Sequence, residues 1–463
     1  MKKICDLIPS ANCDILIKGI TDDSRLVKKG YLFVATKGYN VDHFDYISDA
    51  INRGCSFIVC DRDIKFDVPY YVVDDVNSSF FDLCKKFYDV NFLDYDLIGI
   101  TGTDGKTTTT SIISSLLNDC AYIGTNGFEC CGKHFSTRNT TPCIDELYKC
   151  LNIIKKNNIS KLAMEVSSES LLHNRLYNFT FNVVGFTNIT CDHLNIHKTH
   201  KNYIESKKRL LELTNNNSYV VVNGDDKILR KFKCKNMFTF GFDKSNDYII
   251  SNVKFLSDGC TFSVNNNDST YNIVSPFYGI HNIYNLTMAF IICLLYGFDS
   301  SYLINKIKYL RPIYGRCELL NFGQKYKIVL DYAHTINGVS NILNTFSNYK
   351  HIITVIGCAG GRDASKRRKI GKIVMEKSDV AIFTMDDPRF ESVDKIIAEM
   401  AGSEKGYYKI NDRNKAIEYA LSIANDDSIV LILGKGRDNY MAIGDKKVQY
   451  CDYNVVENYF KRM

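Results

Sequence analysis

The segment Leu97-Ile98-Gly99-Ile100-Thr101-Gly102-Thr103-Asp104-Gly105-Lys106-Thr107-Thr108 constrains this chain more than any other. An apolar, β-branched run ends in a Gly/Thr-rich turn, and helical spacing follows over 107–118. Strand, glycine turn and helix in that order aim backbone N–H groups and a helix N-terminus into one concavity, which suits phosphate oxygens. Lys106 would reach the terminal phosphates, and the Thr107 hydroxyl would ligate magnesium. Five residues rather than four separate Gly99 from Gly105, so the spacing departs from the common phosphate loop. The alternative is a glycine-rich turn carrying a solvated lysine.

Such a unit needs a parallel sheet around it, and the flanking sequence supplies one. Apolar strands recur over 161–166, 183–186 and 219–222, separated by helical stretches. Before the loop, β-branched runs over 31–35, 56–60 and 70–73 alternate with helical stretches such as 44–53, a small α/β unit. After it, strands with Asn, Asp and Ser punctuation over 240–275 read as an antiparallel excursion, and a helix covers 282–296. Arg311-Pro312 reads as a linker, beyond which strands over 327–331, 352–357, 380–384 and 429–434 restart the α/β rhythm. The chain has 463 residues, and at roughly 150 residues per domain about three are expected. The boundaries are placed at 1–93, 94–312 and 313–463.

Composition excludes several classes. The 58 Lys+Arg against 52 Asp+Glu leave a net charge of +6, too dilute over this length for a nucleic-acid binder. No uncharged apolar run reaches the roughly 18 residues of a membrane span. Asp6 interrupts the N-terminal segment where a signal peptide would need an apolar stretch. The seventeen Cys are scattered and read as free thiols of a reducing, cytoplasmic setting. Cys130-Cys131 lacks the second pair and the His spacing of a zinc site.

Other residues are candidates for chemistry. Glu165 ends an apolar strand, at the carboxyl edge where ligands of open α/β sheets bind, and a carboxylate there suits magnesium. The alternative is an exposed strand-end Glu. Asp192-His193-Leu194-Asn195-Ile196-His197 and Lys207-Lys208-Arg209 follow another strand; alone they would read as structural histidines and a solvated helix face.

Jointly, these segments resemble the Mur ligases, over nearly the whole chain. In the first part the resemblance rests on Asp23-Ser24-Arg25, Gly30-Tyr31-Leu32-Phe33-Val34-Ala35 and Lys37-Gly38-Tyr39-Asn40-Val41-Asp42. In the second it rests on 102–108, Asn139-Thr140-Thr141-Pro142, Met164-Glu165-Val166-Ser167-Ser168, Asp192-His193, Lys207 and His281-Asn282 with Asn285. In the third it rests on Gly315-Arg316 with Glu318, Asp331-Tyr332-Ala333-His334-Thr335, Gly360-Gly361-Arg362-Asp363, Lys366-Arg367, Asp386-Asp387-Pro388-Arg389 and Gly434-Lys435-Gly436. The resemblance implies an α/β, three-domain architecture with a central P-loop-type doubly wound sheet and a C-terminal Rossmann-like α/β domain. It further implies an ATP-dependent ligase of cell-wall peptidoglycan synthesis that adds a diamino acid to UDP-N-acetylmuramoyl-L-alanyl-D-glutamate, read as a cytoplasmic monomer.

Carried over by position, Lys106, Glu165, His193 and Lys207 would be catalytic. Thr107, Glu165, His193 and a CO2-derived carbamate on Lys207 would surround magnesium. ATP would be held by Gly102, Thr103, Asp104, Gly105, Lys106, Thr107 and Thr108, with Asn282 and Asn285 near the adenine and Arg316 and Asp331 reaching phosphates and ribose. Ser24, Tyr39, Asn40, Val41, Asp42, Asn139, Thr140, Thr141, Ser167, His173 and Arg175 would hold the UDP-muramoyl dipeptide. The amino acid would fall to Arg362, Asp386, Asp387, Pro388, Arg389, Gly434 and Asp438. The implied reaction runs through an acyl phosphate on the D-glutamate γ-carboxylate, with closure of the third domain onto the second.

Asp386-Asp387-Pro388-Arg389 resembles the Asp-Asn-Pro-Arg motif of family members that add meso-2,6-diaminopimelate, which implies that amino acid, and Arg389 and Arg362 can pair bidentately with its distal carboxylate; L-lysine and L-ornithine remain the alternatives. Asp387 stands where Asn is usual, Arg437-Asp438 where His-Glu is usual, and Glu169 and His173 replace a usual His and Gln. Two remoter readings are folylpolyglutamate synthase, which lacks the first domain, and a non-ligase nucleotide-binding subunit of an amidotransferase complex.

Overall fold

The structure is a computed structural model that describes residues 1–38, 41–176 and 178–462. The chain divides into two compact units, one of Met1–Thr101, Leu117–Gly185 and Ser206–Tyr219, the other of Gly102–Leu116, Phe186–Glu205 and Val220–Met463.

In the first unit, strands Gly19–Thr21, Tyr31–Val34, Phe57–Cys60 and Tyr70–Val72 pair in parallel in that order. Phe33, Ile47, Ala50, Ile58 and Cys60 form their core. The helix expected over 44–53 is split: a 3-10 turn, His43–Tyr46, is capped by the Asp42 carboxylate, and the α-helix Ile47–Asn52 follows. The helix Val76–Tyr88 starts where Asp75 accepts from the N–H groups of Asn77 and Ser78 and stops at Asp89 in the left-handed region. Its Phe81 ring meets Tyr148, of the helix Ile144–Lys156, edge-on at 5.5 Å, so the first ninety residues are fastened to the next segment. There Lys161–Glu165 lies between and parallel to Asp96–Thr101 and Cys120–Gly124. Its last four residues are buried, as expected of a strand covered on both faces. A hairpin, Gly127–Cys130 with Lys133–Phe135, extends the edge, and sequence reasoning had assigned no strand there.

In the second unit, the helix Lys106–Leu116 ends two residues before the expected limit and packs on Ile280–Leu295. The stretch read as an antiparallel excursion is mixed. Residues 220–223, Met237–Gly241 and Tyr248–Leu256 pair in parallel, and only Gly259–Asn265 and Thr270–Ser275 return antiparallel. A second sheet has the order Glu318–Leu320, Lys327–Asp331, Ser428–Leu433, His351–Ile356, Val380–Phe383, Tyr408–Lys409, parallel except for its first strand. Ser428–Leu433 is entirely buried at its centre, with apolar clusters on both faces. Asp331, Gly357, Thr384 and Gly434 therefore leave the sheet at one edge, where open α/β sheets bind ligands. Among the described residues no helix is long and apolar enough to cross a membrane, and all seventeen cysteines are free.

Candidate functional site

The phosphate loop is shaped by what its glycines touch. A Cβ at Gly102 (φ 152°) would lie 1.8 Å from Thr187 Oγ1, and one at Gly105 (φ 85°) 2.3 Å from Asn285 Oδ1. The loop is pinned by Asp104 N donating to Asn188 Oδ1, by Thr187 Oγ1 donating to Asp104 O, and by Thr190 N donating to Thr103 Oγ1. Lys106 Nζ donates to the Gly102 and Thr103 carbonyls, both at 2.9 Å. Asn285 Oδ1 accepts from Thr109 Oγ1, and its amide donates to Asn282 Oδ1, so this pair braces the loop and its helix. Thr108 is buried in the first turn of that helix.

Residues from 313 onward are seated on this loop. Arg316 Nη2 donates to Thr107 Oγ1 at 2.8 Å, and Thr335 Oγ1 donates to the Asp104 carboxylate at 3.0 Å while capping the helix Ile336–Thr345. Burial raises the Asp104 carboxyl above its ordinary range, opposed by Lys106 and Thr335. Asp331 is buried, accepts from the N–H groups of Cys317 and Ala333, and is pushed up to about 6 by burial, against the Arg316 guanidinium. Its carboxylate therefore shapes its own turn. His193 has left-handed backbone (φ 54°), and its ring lies 3.6 Å from Asp192, which also faces Lys366 at 3.4 Å and His334 at 3.9 Å. Burial opposes ionisation of Asp192, but Lys366, His193 and His334 hold it well below the carboxylate range.

In the first unit, Glu165 has no exposed surface. Its carboxylate accepts from the Tyr122 hydroxyl (2.8 Å), Thr125 N (2.8 Å) and the Thr125 hydroxyl (3.2 Å). A Cβ at Gly124 would stand 2.1 Å from Glu165 Oε1, so only glycine leaves room for the acid. The Glu165 carbonyl accepts from Thr141 Oγ1, whose oxygen in turn accepts from Ser167 N. Ser167 caps the helix Ser168–Leu172, and Thr140 Oγ1 lies 3.3 Å from Thr125 Oγ1. Sequence reasoning thus named a set that the fold joins into one strand-edge cluster. Arg175 donates to Glu169, so the acid replacing a usual His has become an ion-pair partner. Burial and then Arg175 lower the His173 pKa. Lys207 is 1% exposed, beside Ser206, whose hydroxyl donates to Ser168 O. Asn139 Nδ2 reaches the Cys143 sulfur, at 4.0 Å. Ser24 is buried and Val41 exposed, while Asp42 is occupied by Phe44 N and Arg62. Tyr39 and Asn40 lie outside the described residues.

The loops that leave the second sheet gather the residues expected to hold an amino acid. Asp387 (φ 39°) and Arg389 (φ 50°) adopt left-handed backbone, with Pro388 between them, and a Cβ at Gly434 would lie 2.6 Å from Asp386 Oδ2. Arg389 Nη1 donates to Gly360 O at 2.6 Å, and Arg362 is exposed. Sequence reasoning gave Lys435 no role. Its buried ammonium is 2.9 Å from Asp387, 3.5 Å from Asp438 and 3.8 Å from Asp386. Burial pushes Asp438 up to about 6, opposed by Lys435. Arg437, in place of the usual His, pairs with Glu318 and stacks on Tyr453. Arg413 was also missed. Fully buried with Asp452, it donates to the carbonyls of Met385 and Leu433, the residues that precede both loops.

A glycine-shaped phosphate loop, a buried strand-edge carboxylate and a second α/β sheet with a charged ligand edge define a phosphate-loop enzyme of modular α/β build. The chain belongs to the Mur ligase family. Family models match in three stretches: Mur ligase family, catalytic domain, over 16–82; Mur ligase middle domain, over 100–293; and Mur ligase, glutamate ligase domain, over 315–436. Similar curated proteins include the UDP-N-acetylmuramoyl-L-alanyl-D-glutamate--2,6-diaminopimelate ligase of Bacillus cereus, 34% identical with 96% of this chain and 94% of the relative covered. The Clostridium botulinum protein of the same name is 34% identical with 96% of each chain covered. A solved structure bearing that name is 26% identical, with a TM-score of 0.65 over 96% of this chain and 95% of the other. The Thermotoga maritima MurF ligase in complex with ADP shares the fold at 18% identity and a TM-score of 0.69, over 97% and 98% of the two chains.

Proposed function

We propose that this chain is a cytoplasmic, monomeric, ATP-dependent ligase that adds meso-2,6-diaminopimelate to UDP-N-acetylmuramoyl-L-alanyl-D-glutamate in peptidoglycan synthesis. The observation that carries the reading is the phosphate loop with Arg316 on the Thr107 hydroxyl and Thr335 on the Asp104 carboxylate. Relatives so named align over nearly all of the chain and support the substrates. Residues 1–93 would take the UDP acceptor, 94–312 ATP and 313–463 the amino acid, and one family match falls within each.

Magnesium fits the donor chemistry. Glu165 is a buried carboxylate whose hydrogen-bond partners are all neutral, a costly state that a bound cation relieves. Among the described residues no three His, Cys, Asp or Glu side chains gather as a ready metal site. Magnesium ordinarily takes one or two carboxylates and completes its shell with phosphate and water oxygens. Glu165, Thr107, His193 and Lys207 would hold it, Lys207 as a carbamate that turns a buried cation into an anionic oxygen donor. When bound, the ion neutralises charge on the phosphoryl group in transit.

The chain's own residues would do the rest by positioning and electrostatics. Lys106 and the loop N–H groups hold the terminal phosphates while a carboxylate oxygen of the acceptor's D-glutamate attacks the γ-phosphorus and ADP leaves. The neutral amine of the incoming residue then attacks the acyl carbon, the carbon–oxygen bond to phosphate breaks, and the amide nitrogen gives up a proton. Arg389 would meet the distal carboxylate, and Asp386 and Asp438 the distal ammonium.

The deciding assay gives purified protein ATP, magnesium, the UDP-muramoyl dipeptide and either diaminopimelate or lysine, then weighs the product. Product and equimolar ADP with diaminopimelate are expected. A preference for lysine would overturn the role given to Arg389, and no amide product with either would overturn the ligase reading.

A further inference from the structure

One cation in the first unit is spent on linking the two segments that the proposed function assigns to the acceptor. Arg138 directly precedes Asn139-Thr140-Thr141. Its Nη2 donates to Asp145 Oδ1 at 2.8 Å, its Nε to Glu146 Oε2 at 3.3 Å, and its Nη1 lies 3.8 Å from Asp23 Oδ2. Asp145 and Glu146 open the helix Ile144–Lys156, whereas Asp23 belongs to the Asp23-Ser24-Arg25 turn more than a hundred residues earlier. Asp23 shapes that turn by accepting from Arg25 N and Nε. A second bridge runs parallel: Thr21 Oγ1 donates to the other oxygen of Asp145 at 2.9 Å.

The charge arithmetic explains why a fork is needed here. Asp23, Asp145 and Glu146 converge on one guanidinium, and Asp145 is only 6% exposed. A planar guanidinium serves several carboxylates in a fixed geometry, whereas an ammonium is a point charge that cannot reach all three. Removing the cation leaves Asp145 and Glu146 facing one another without it and leaves Asp23 to Arg25 alone, at 2.8 Å, so the charged link between the two segments is lost. All three nitrogens already face protein carboxylates, so Arg138 acts on the acceptor through the loops it joins.

We propose that Arg138 is a positioning residue that fixes the Asp23-Ser24-Arg25 turn against the Asn139-Thr140-Thr141 loop, and so sets affinity for the UDP-linked acceptor. The inference rests on the acceptor reading above, and the parent enzyme tests that reading on its own: absence of acceptor-dependent ADP release in the parent would sink the function itself. With an active parent, Arg138→Gln should raise the KM for the UDP-muramoyl dipeptide about tenfold or more, leaving the KM for ATP within about twofold. Arg138→Lys should fall between. A double-mutant cycle of Arg138→Gln with Asp23→Asn should show less than multiplicative losses in acceptor KM, because the two changes remove the same link. Thermal unfolding of each variant checks that the chain is folded. Thr21→Val, which cuts only the parallel bridge, gives a milder acceptor defect if Arg138→Gln proves unstable. An unchanged acceptor KM in these variants, an equal rise in both KM values, or strictly multiplicative losses in the cycle would overturn the proposal.

Discussion

Glu165 and Asp452 are both acids with no exposed surface, and their surroundings differ in one respect. Asp452 faces Arg413, equally buried, which donates to it from Nε and Nη2 at 2.8 and 2.7 Å; the Tyr450 hydroxyl adds a third bond. Glu165 is met by two hydroxyls and one backbone N–H, with no cation among its hydrogen-bond partners in the described residues. The first arrangement is closed: each charge has its complement, and the pair ties together the roots of two loops. The second is open, because hydrogen bonds orient the carboxylate while leaving its charge for something that arrives. Burial is therefore the same at both acids, and the charge of their partners is what sets Glu165 apart as the candidate for chemistry.

The comparison breaks most readily at Glu165. Glu165→Gln keeps the shape and most of the hydrogen bonds but removes the charge. Acceptor-dependent ADP release should fall by roughly a thousandfold or more, the scale at which electrostatic stabilisation of phosphoryl transfer acts, while chemical denaturation shows stability unchanged or higher. Activity within tenfold of the parent would mean that Glu165 is as structural as Asp452. The opposite pattern is expected for Asp452→Ala, which strands Arg413 in the core. Stability should drop by about 3–5 kcal/mol, the usual cost of breaking a buried pair from one side, read from urea unfolding. Variant protein that stays folded should keep its ATP-loop chemistry, with the loss falling on the amino-acid KM.

Asp438 sharpens the comparison because it lies between the extremes, half paired with Lys435 and pushed up to about 6 by burial. Its carboxyl takes a proton as pH falls through that value, and a neutral acid no longer attracts an ammonium. The KM for the diamino acid should therefore rise by up to about tenfold per pH unit below 6, the limit for loss of a single required charge. It should be level above about 7, and Asp438→Asn should remove the dependence. A KM flat from pH 5 to 8 in the parent would take Asp438 out of the amino-acid site.

Local chemistry made the candidate residues legible in the sequence. The glycines, Lys106 and Thr107 sit within one turn, Glu165 ends an apolar run, and Asp386 to Arg389 crowd three charged groups into four consecutive positions. The four central strands of the second sheet were legible for a related reason, being short apolar runs that are largely buried, whereas Glu318–Leu320 and the exposed Tyr408–Lys409 at its edges were not read as strands. What stayed hidden depends on pairs distant in sequence. Arg413 and Asp452 are 39 residues apart, Lys435 and Asp387 48, Thr21 and Asp145 124. Each member alone resembles any solvated charge, and only the fold reveals its partner. The hairpin over 127–135 was missed because its strands are only four and three residues long and the second is exposed, and the excursion after 240 was misread because a parallel strand precedes the antiparallel ones.

Gly124 carries a consequence of another kind. It has no side chain to donate, accept or ionise, yet the carboxylate oxygen of Glu165 occupies the space a methyl group would need. In a scan of all substitutions, position 124 would score beside the phosphate-loop lysine, and a reader of that map would look for a chemistry the residue does not possess. Intolerance at a position measures what its neighbours require of the space as much as what the residue itself contributes.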